Sequence, residues 1–219
     1  AGSQAWDSYS TLYKQANKTL PGGSCYSVGL GGHICGGGYG LLSRKYGLVC
    51  DWLSGVDILV PDSQGKGLEP RHVSRDSTQE DELDLFAACC GAGGGQFGII
   101  TSYYFKDLPP APKEVLWLVL EWDWSVLTQD ALNNLLVAYQ RWFASHQSNP
   151  DTWGLATKLE MRHEHTGNIT LGIHYVDKEG ELNDRAPFDD FVDKMLTAVG
   201  LPATESLVPF HVVHLPPGT

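Results

Sequence analysis

Apolar residues recur with a helical period behind Thr128, where Leu132, Leu135, Leu136, Tyr139, Trp142 and Phe143 fall on one stripe and the threonine offers an N-terminal cap. The same period, more weakly marked, runs through Trp6, Tyr9, Leu12, Tyr13 and Ala16 and predicts a helix within residues 1–19. Further helices are expected over 82–90, stopped by Gly91, and over 188–199, with a short helical turn at 41–47 closed by Gly47. A β-branched run at 56–60, bounded by Gly55 and Pro61, reads as a buried strand. Strands are also expected at 97–105, 115–122, 157–165 and 169–175, the last two as an antiparallel hairpin about Thr166-Gly-Asn. Residues 62–82 are polar and read as a loop or an edge hairpin.

The segment Asp107-Leu-Pro-Pro-Ala-Pro112 interrupts this pattern, because closely spaced prolines favour extended chain and remove hydrogen-bond donors. It sets the expected border between domains 1–107 and 108–219. Beyond it the order strand, helix, strand, strand, helix implies an α+β layer, with helices on one face of an antiparallel sheet and the other face free to cover something.

Residues 21–40, Pro-Gly-Gly-Ser-Cys-Tyr-Ser-Val-Gly-Leu-Gly-Gly-His-Ile-Cys-Gly-Gly-Gly-Tyr-Gly, fit neither period. Flexible linkers are polar, whereas here Val28, Leu30, Ile34 and Tyr39 are interleaved and expected to pack. Glycines let backbone N–H groups approach an anion, so the run is read as a cradle for a pyrophosphate-bearing cofactor. Tyr39 and Tyr46 are read as core residues.

Cys25 to Gly40 resembles the flavin loop of the FAD-linked oxidases of the berberine-bridge-enzyme type, within the vanillyl-alcohol-oxidase/PCMH-like superfamily, and its wording is most similar to that of the glycopeptide-antibiotic hexose oxidases. Asp84-Leu-Phe-Ala-Ala-Cys-Cys-Gly-Ala-Gly-Gly-Gly-Gln-Phe-Gly-Ile-Ile-Thr101 resembles the same family's second glycine-rich flavin segment, with departures at Ala87, Cys90, Ala92 and Gln96. The resemblance implies part of a PCMH-type FAD-binding domain followed by part of an α+β substrate-binding domain with an antiparallel sheet. It implies FAD as cofactor, joined through the Cys25 sulfur to C6 of the isoalloxazine, and contacts from Val28, Gly29, Gly31, Gly32, His33, Gly37 and Gly40. A second set of contacts is implied at Gly93, Gly94, Gly95, Gln96, Phe97, Gly98 and Ile99. His33 either donates to the flavin or locks the loop.

The family's length implies that this chain is a central portion, with the catalytic tyrosine-bearing segment beyond Thr219, so no catalytic base is assigned within it. The implied activity is that of an oxidase: hydride passes from a hydroxyl-bearing carbon of a sugar or glycosylated natural product to flavin, and O2 becomes H2O2. A flavin-dependent oxidative cyclase or dehydrogenase of secondary metabolism, and a non-catalytic flavin-binding or interaction fragment, stay open. Expected partners are the sugar or glycoside, O2, and flanking segments or a partner chain of the same flavoprotein.

Alternation along 159–165 would place Leu159, Met161, His163 and His165 on one sheet face, which makes Met161 and His163 the substrate-contact candidates. His163 and His165 with His174 suggest a metal set, but no carboxylate falls on that face and none is expected there. The net charge of −11, from 15 Lys and Arg against 26 Asp and Glu, opposes binding to nucleic acid or to an anionic membrane surface. Localisation stays open between cytoplasmic and secreted. Beyond Cys25, the four other cysteines are expected to be small buried thiols.

Overall fold

Two units, one running from the N-terminus to Ala111 and the other starting at Pro112, make up a computed structural model that describes residues 2–211. In the first, three antiparallel strands lie in the order β2-β1-β3: β1 (Leu53–Pro61), β2 (Leu68–Ser74) and β3 (Ile99–Phe105). The central strand is the one with the β-branched run, and Leu53, Val56, Ile58 and Val60 are buried along it. Helices α1 (Ala5–Ala16), α2 (Leu30–Cys35), α3 (Ser43–Tyr46) and α4 (Glu80–Cys89) complete the unit. Its core joins Ala5, Leu20, Leu30, Ile34, Val49 and Phe86 to the inward side chains of β1. The polar stretch after Pro61 is the edge hairpin, not a loop. On the outer face Asp57 ties all three strands: it faces His72 on β2 and Ser102 on β3, lies 2.7 Å from His72 Nδ1, and accepts the Tyr104 hydroxyl at 2.6 Å.

The second unit is a four-stranded antiparallel sheet in the order β5-β6-β4-β7, formed by β4 (Glu114–Trp122), β5 (Leu155–Met161), β6 (Ile169–Tyr175) and β7 (Thr204–His211). Helices α5 (Gln129–His146) and α6 (Ala186–Val199) pack together on one face. Leu116, Leu118, Leu120 and Trp122 alternate toward them, and meet Leu135, Trp142, Phe191 and Met195. Thr128 caps α5 by accepting the Ala131 N–H at 3.1 Å. Buried Asp177 organises the turn after β6, taking the backbone N–H groups of Glu179, Glu181 and Asn183 at 2.8–3.0 Å.

Several expectations are corrected, among them the packing of Val28, which is exposed at the turn before α2. The glycine-rich run is not all loop, since α2 forms inside it. Strand β5 stops at Met161, because the Thr166 N–H and hydroxyl both bond the His163 carbonyl, at 2.7 and 3.0 Å, and curl residues 163–166 into a turn. His163 and His165 therefore leave the strand, and the shared face with Leu159 and Met161 does not exist. Tyr39 is 71% exposed rather than core, while Tyr46 is half-buried against Trp52. Strand β7 was not anticipated.

Candidate functional site

The segment 25–29 is fixed by the start of α1. Ala5 and Trp6 donate their N–H groups to the carbonyls of Val28 and Tyr26 at 2.9 and 3.0 Å, and Leu30 donates to Ser3 at 2.9 Å. These bonds hold Cys25 at the head of a turn closed by the Val28 N–H on its carbonyl, with its side chain exposed. The other cysteines differ. Cys35, Cys50 and Cys89 are buried and Cys90 is half-buried, and desolvation by burial pushes Cys89 and Cys90 up to about 11, which keeps them as thiols at neutral pH. Cys25 is thus the accessible sulfur of the five.

The glycines of this segment fall into two kinds. Gly40 is required by the chain's own packing, since a Cβ there would lie 1.8 Å from the Gly22 carbonyl oxygen. Gly37 and Gly38 take φ of +98° and +78°, and a Cβ on Gly38 would meet Val49 at 2.6 Å. These positions explain themselves without any ligand. Gly29, Gly31 and Gly32 do not: none has a positive φ, and among the described residues a Cβ on any of them would meet nothing within 4 Å. Glycine in the first turn of a helix weakens it by up to about 1 kcal/mol relative to alanine. Gly31 and Gly32 cost α2 stability, Gly29 stands at its N-cap where glycine is tolerated, and all three face space that no described residue fills.

His33, in α2, accepts the Gly23 N–H on Nε2 at 2.9 Å, and Tyr9 donates to the Gly23 carbonyl at 3.0 Å. Its ring therefore locks the loop. The second glycine segment reaches α2 directly: a Cβ on Gly94 would lie 3.0 Å from the Cys35 Cβ. Gly93, Gly95 and Gly98 take φ of +108°, +76° and +152°, and Gly98 passes so close to β1 that a Cβ would meet the Leu59 carbonyl at 2.5 Å. Gln96 is exposed, its amide beside Gly93, and Phe97 and Ile99 are 42% and 60% exposed. The structure thus brings the second segment onto α2 and leaves apolar side chains beside it uncovered.

Tyr103 is a residue of this site that the sequence reading missed. Its hydroxyl donates to the Gly31 carbonyl at 2.9 Å and lies 3.0 Å from Cys35 Sγ. Alternation in β3 was the available signal, because a tyrosine on the side that packs into a core needs a partner for its hydroxyl. In the second unit, Met161 is 53% exposed at the end of β5 and His163 stands in the exposed turn, its Nδ1 accepting the His165 N–H at 3.2 Å. Among the described residues no three His, Cys, Asp or Glu side chains converge, and no helix is long and apolar enough to cross a membrane.

A dinucleotide cofactor fits what these residues offer: unshielded backbone on α2, an exposed thiol on the adjoining turn, and uncovered apolar side chains on the second segment. Comparison with known proteins agrees. Residues 5–66 match the FAD binding domain family. The hexose oxidase of Chondrus crispus is 50% identical over 139 residues, which cover 64% of this chain and 25% of that protein. The crystal structure of a glycopeptide hexose oxidase complexed with teicoplanin superimposes with a TM-score of 0.83 at 31% identity, covering 99% of this chain and 46% of that one. A glucooligosaccharide oxidase from Acremonium strictum, described with a 6-S-cysteinyl, 8α-N1-histidyl FAD, superimposes at 0.74 with 25% identity over 96% of this chain and 39% of its own. The chain spans less than half the length of these relatives.

Proposed function

This chain is related to the FAD-linked oxidases of the berberine-bridge-enzyme type, and from that premise we propose that it forms the flavin-holding part of an oxidase acting on a sugar or a glycosylated natural product. In this reading the first unit belongs to the FAD-binding domain and the second to the substrate-binding domain. FAD, when bound, supplies the acceptor for a hydride from a hydroxyl-bearing carbon and passes the electron pair to O2, giving H2O2.

The chain's own residues bind and orient. Gly29, Gly31 and Gly32 present backbone to the cofactor, and their unshielded faces are the observation that carries the proposal. Cys25 would hold the flavin as a thioether at C6, the sulfur replacing the C6 hydrogen and O2 taking the electron pair of the reduced adduct, and its exposure on a hydrogen-bonded turn suits it to that attachment. His33 holds that loop through Gly23, while Gly37 and Gly40 shape the return toward α3. Gly93 to Ile99 form a second wall, with Phe97 and Ile99 excluding water from the cofactor. Met161, exposed at the end of β5, is the remaining substrate-contact candidate on that strand.

The test is oxygen consumption and peroxide release by the purified flavoprotein with free hexoses, glucosides and N-acylglucosamine conjugates. Oxidation of at least one of these with one H2O2 released per carbonyl formed supports the proposal. Flavin that no sugar reduces, or that passes electrons to a dye and not to O2, contradicts it.

A further inference from the structure

The Tyr103 hydroxyl has one proton, and a carbonyl cannot donate, so that proton lies in the 2.9 Å contact with the Gly31 oxygen. The 3.0 Å contact with Cys35 Sγ must then be made by the thiol proton on the phenol oxygen. Donation runs in one direction, from Cys35 through Tyr103 to Gly31. Both ends of this chain of bonds lie in α2, and its middle lies in β3. A six-residue helix containing two glycines has little stability of its own. Leu30, Ile34 and Cys35 bury one side of it, but burial leaves its rotation and its slide along the sheet free to vary, whereas two directed bonds to one oxygen do not. Gly31 is also one of the three glycines with an unshielded face.

We infer that Tyr103 is a positioning residue for the cofactor, fixing the orientation of α2 so that the open faces of Gly31 and Gly32 lie where FAD meets them. The inference rests on the FAD reading above. Tyr103 acts through Gly31 and touches no reacting atom.

The experiment measures FAD dissociation and the visible circular dichroism of bound flavin, in a Cys25→Ala background so that binding is reversible. Tyr103→Phe keeps the ring in its packing and removes only the hydroxyl. It is expected to weaken FAD binding by about tenfold, the scale of one hydrogen bond, and to change the flavin dichroism. Cys35→Ala should weaken binding by a smaller factor, Cys35→Ser should restore it by supplying a donor, and Tyr103→Phe with Cys35→Ala should be no worse than Tyr103→Phe alone. Parent-like affinity and dichroism in Tyr103→Phe would overturn the inference while leaving the FAD reading intact. Protein with Cys25 intact that carries no flavin, covalent or reversible, would overturn both.

Discussion

The Gly23 amide donates to His33 Nε2 at 2.9 Å, closing the glycine-rich run upon itself across ten residues. The bond requires a neutral ring with its proton on Nδ1. Because Tyr9 holds the other side of the Gly23 peptide, the turn leading to Cys25 is clamped at one point by two side chains. His33→Leu removes one clamp and leaves an amide unpaired, and should lower the unfolding free energy by about 1–2 kcal/mol. Denaturation in urea checks the value, and His33→Gln, which retains an acceptor, should recover part of it.

Gly31 and Gly40 separate two meanings of a glycine-rich loop within one protein. Gly40→Ala forces a Cβ into the Gly22 carbonyl and should cost about 2–3 kcal/mol or prevent folding, with or without flavin. Gly31→Ala meets none of the described residues and raises helix propensity, so thermal stability of the apoprotein should be unchanged or higher. Flavin content, however, should fall sharply. Thermal melts of apoprotein and absorbance of the purified variants distinguish the two outcomes.

His174 gives the second unit an acid-sensitive fold. It is buried on β6, Nδ1 has no partner among the described residues, and its ring makes an edge-type contact with that of Trp117. Burial lowers its pKa from 6.5 to about 4. The unfolded chain therefore binds the proton first as pH falls. Stability is complete above about pH 6.5 and is lost progressively down to about pH 4, by about 2–3 kcal/mol at pH 4.5. Asp57, held below the usual carboxylate range by the Tyr104 hydroxyl and then His72, acts in the same direction but only at lower pH. Unfolding free energies at pH 7 and 4.5 should differ less in His174→Leu than in the parent protein.

What the sequence made legible follows from how many physical signals agreed at each place. Strand β1 combined β-branched residues with glycine and proline limits, and α5 combined a cap with a long apolar stripe. Helix α2 was hidden because Gly31 and Gly32 argue against helix. The spacing of buried Leu30, Ile34 and Cys35 was the only local sign, and the bonds that begin the helix come from Ser3, far along the chain. Strand β7 was hidden by Pro209, which an edge position in the order β5-β6-β4-β7 tolerates. His163 left the strand because Thr166 bonds back to it, a local competition that alternation does not register. At the site, the glycines were visible as a group, but which of them serve the fold and which face outward depends on contacts such as Gly22 with Gly40.

The central claim, that the glycine-rich segment holds FAD through Cys25, is tested most directly by mass analysis of the denatured, proteolysed flavoprotein. The peptide containing Cys25 should carry the mass of FAD and its absorbance, and Cys25→Ala protein should release its flavin on acid precipitation. An unmodified Cys25 peptide recovered from fully active, yellow protein would contradict the claim.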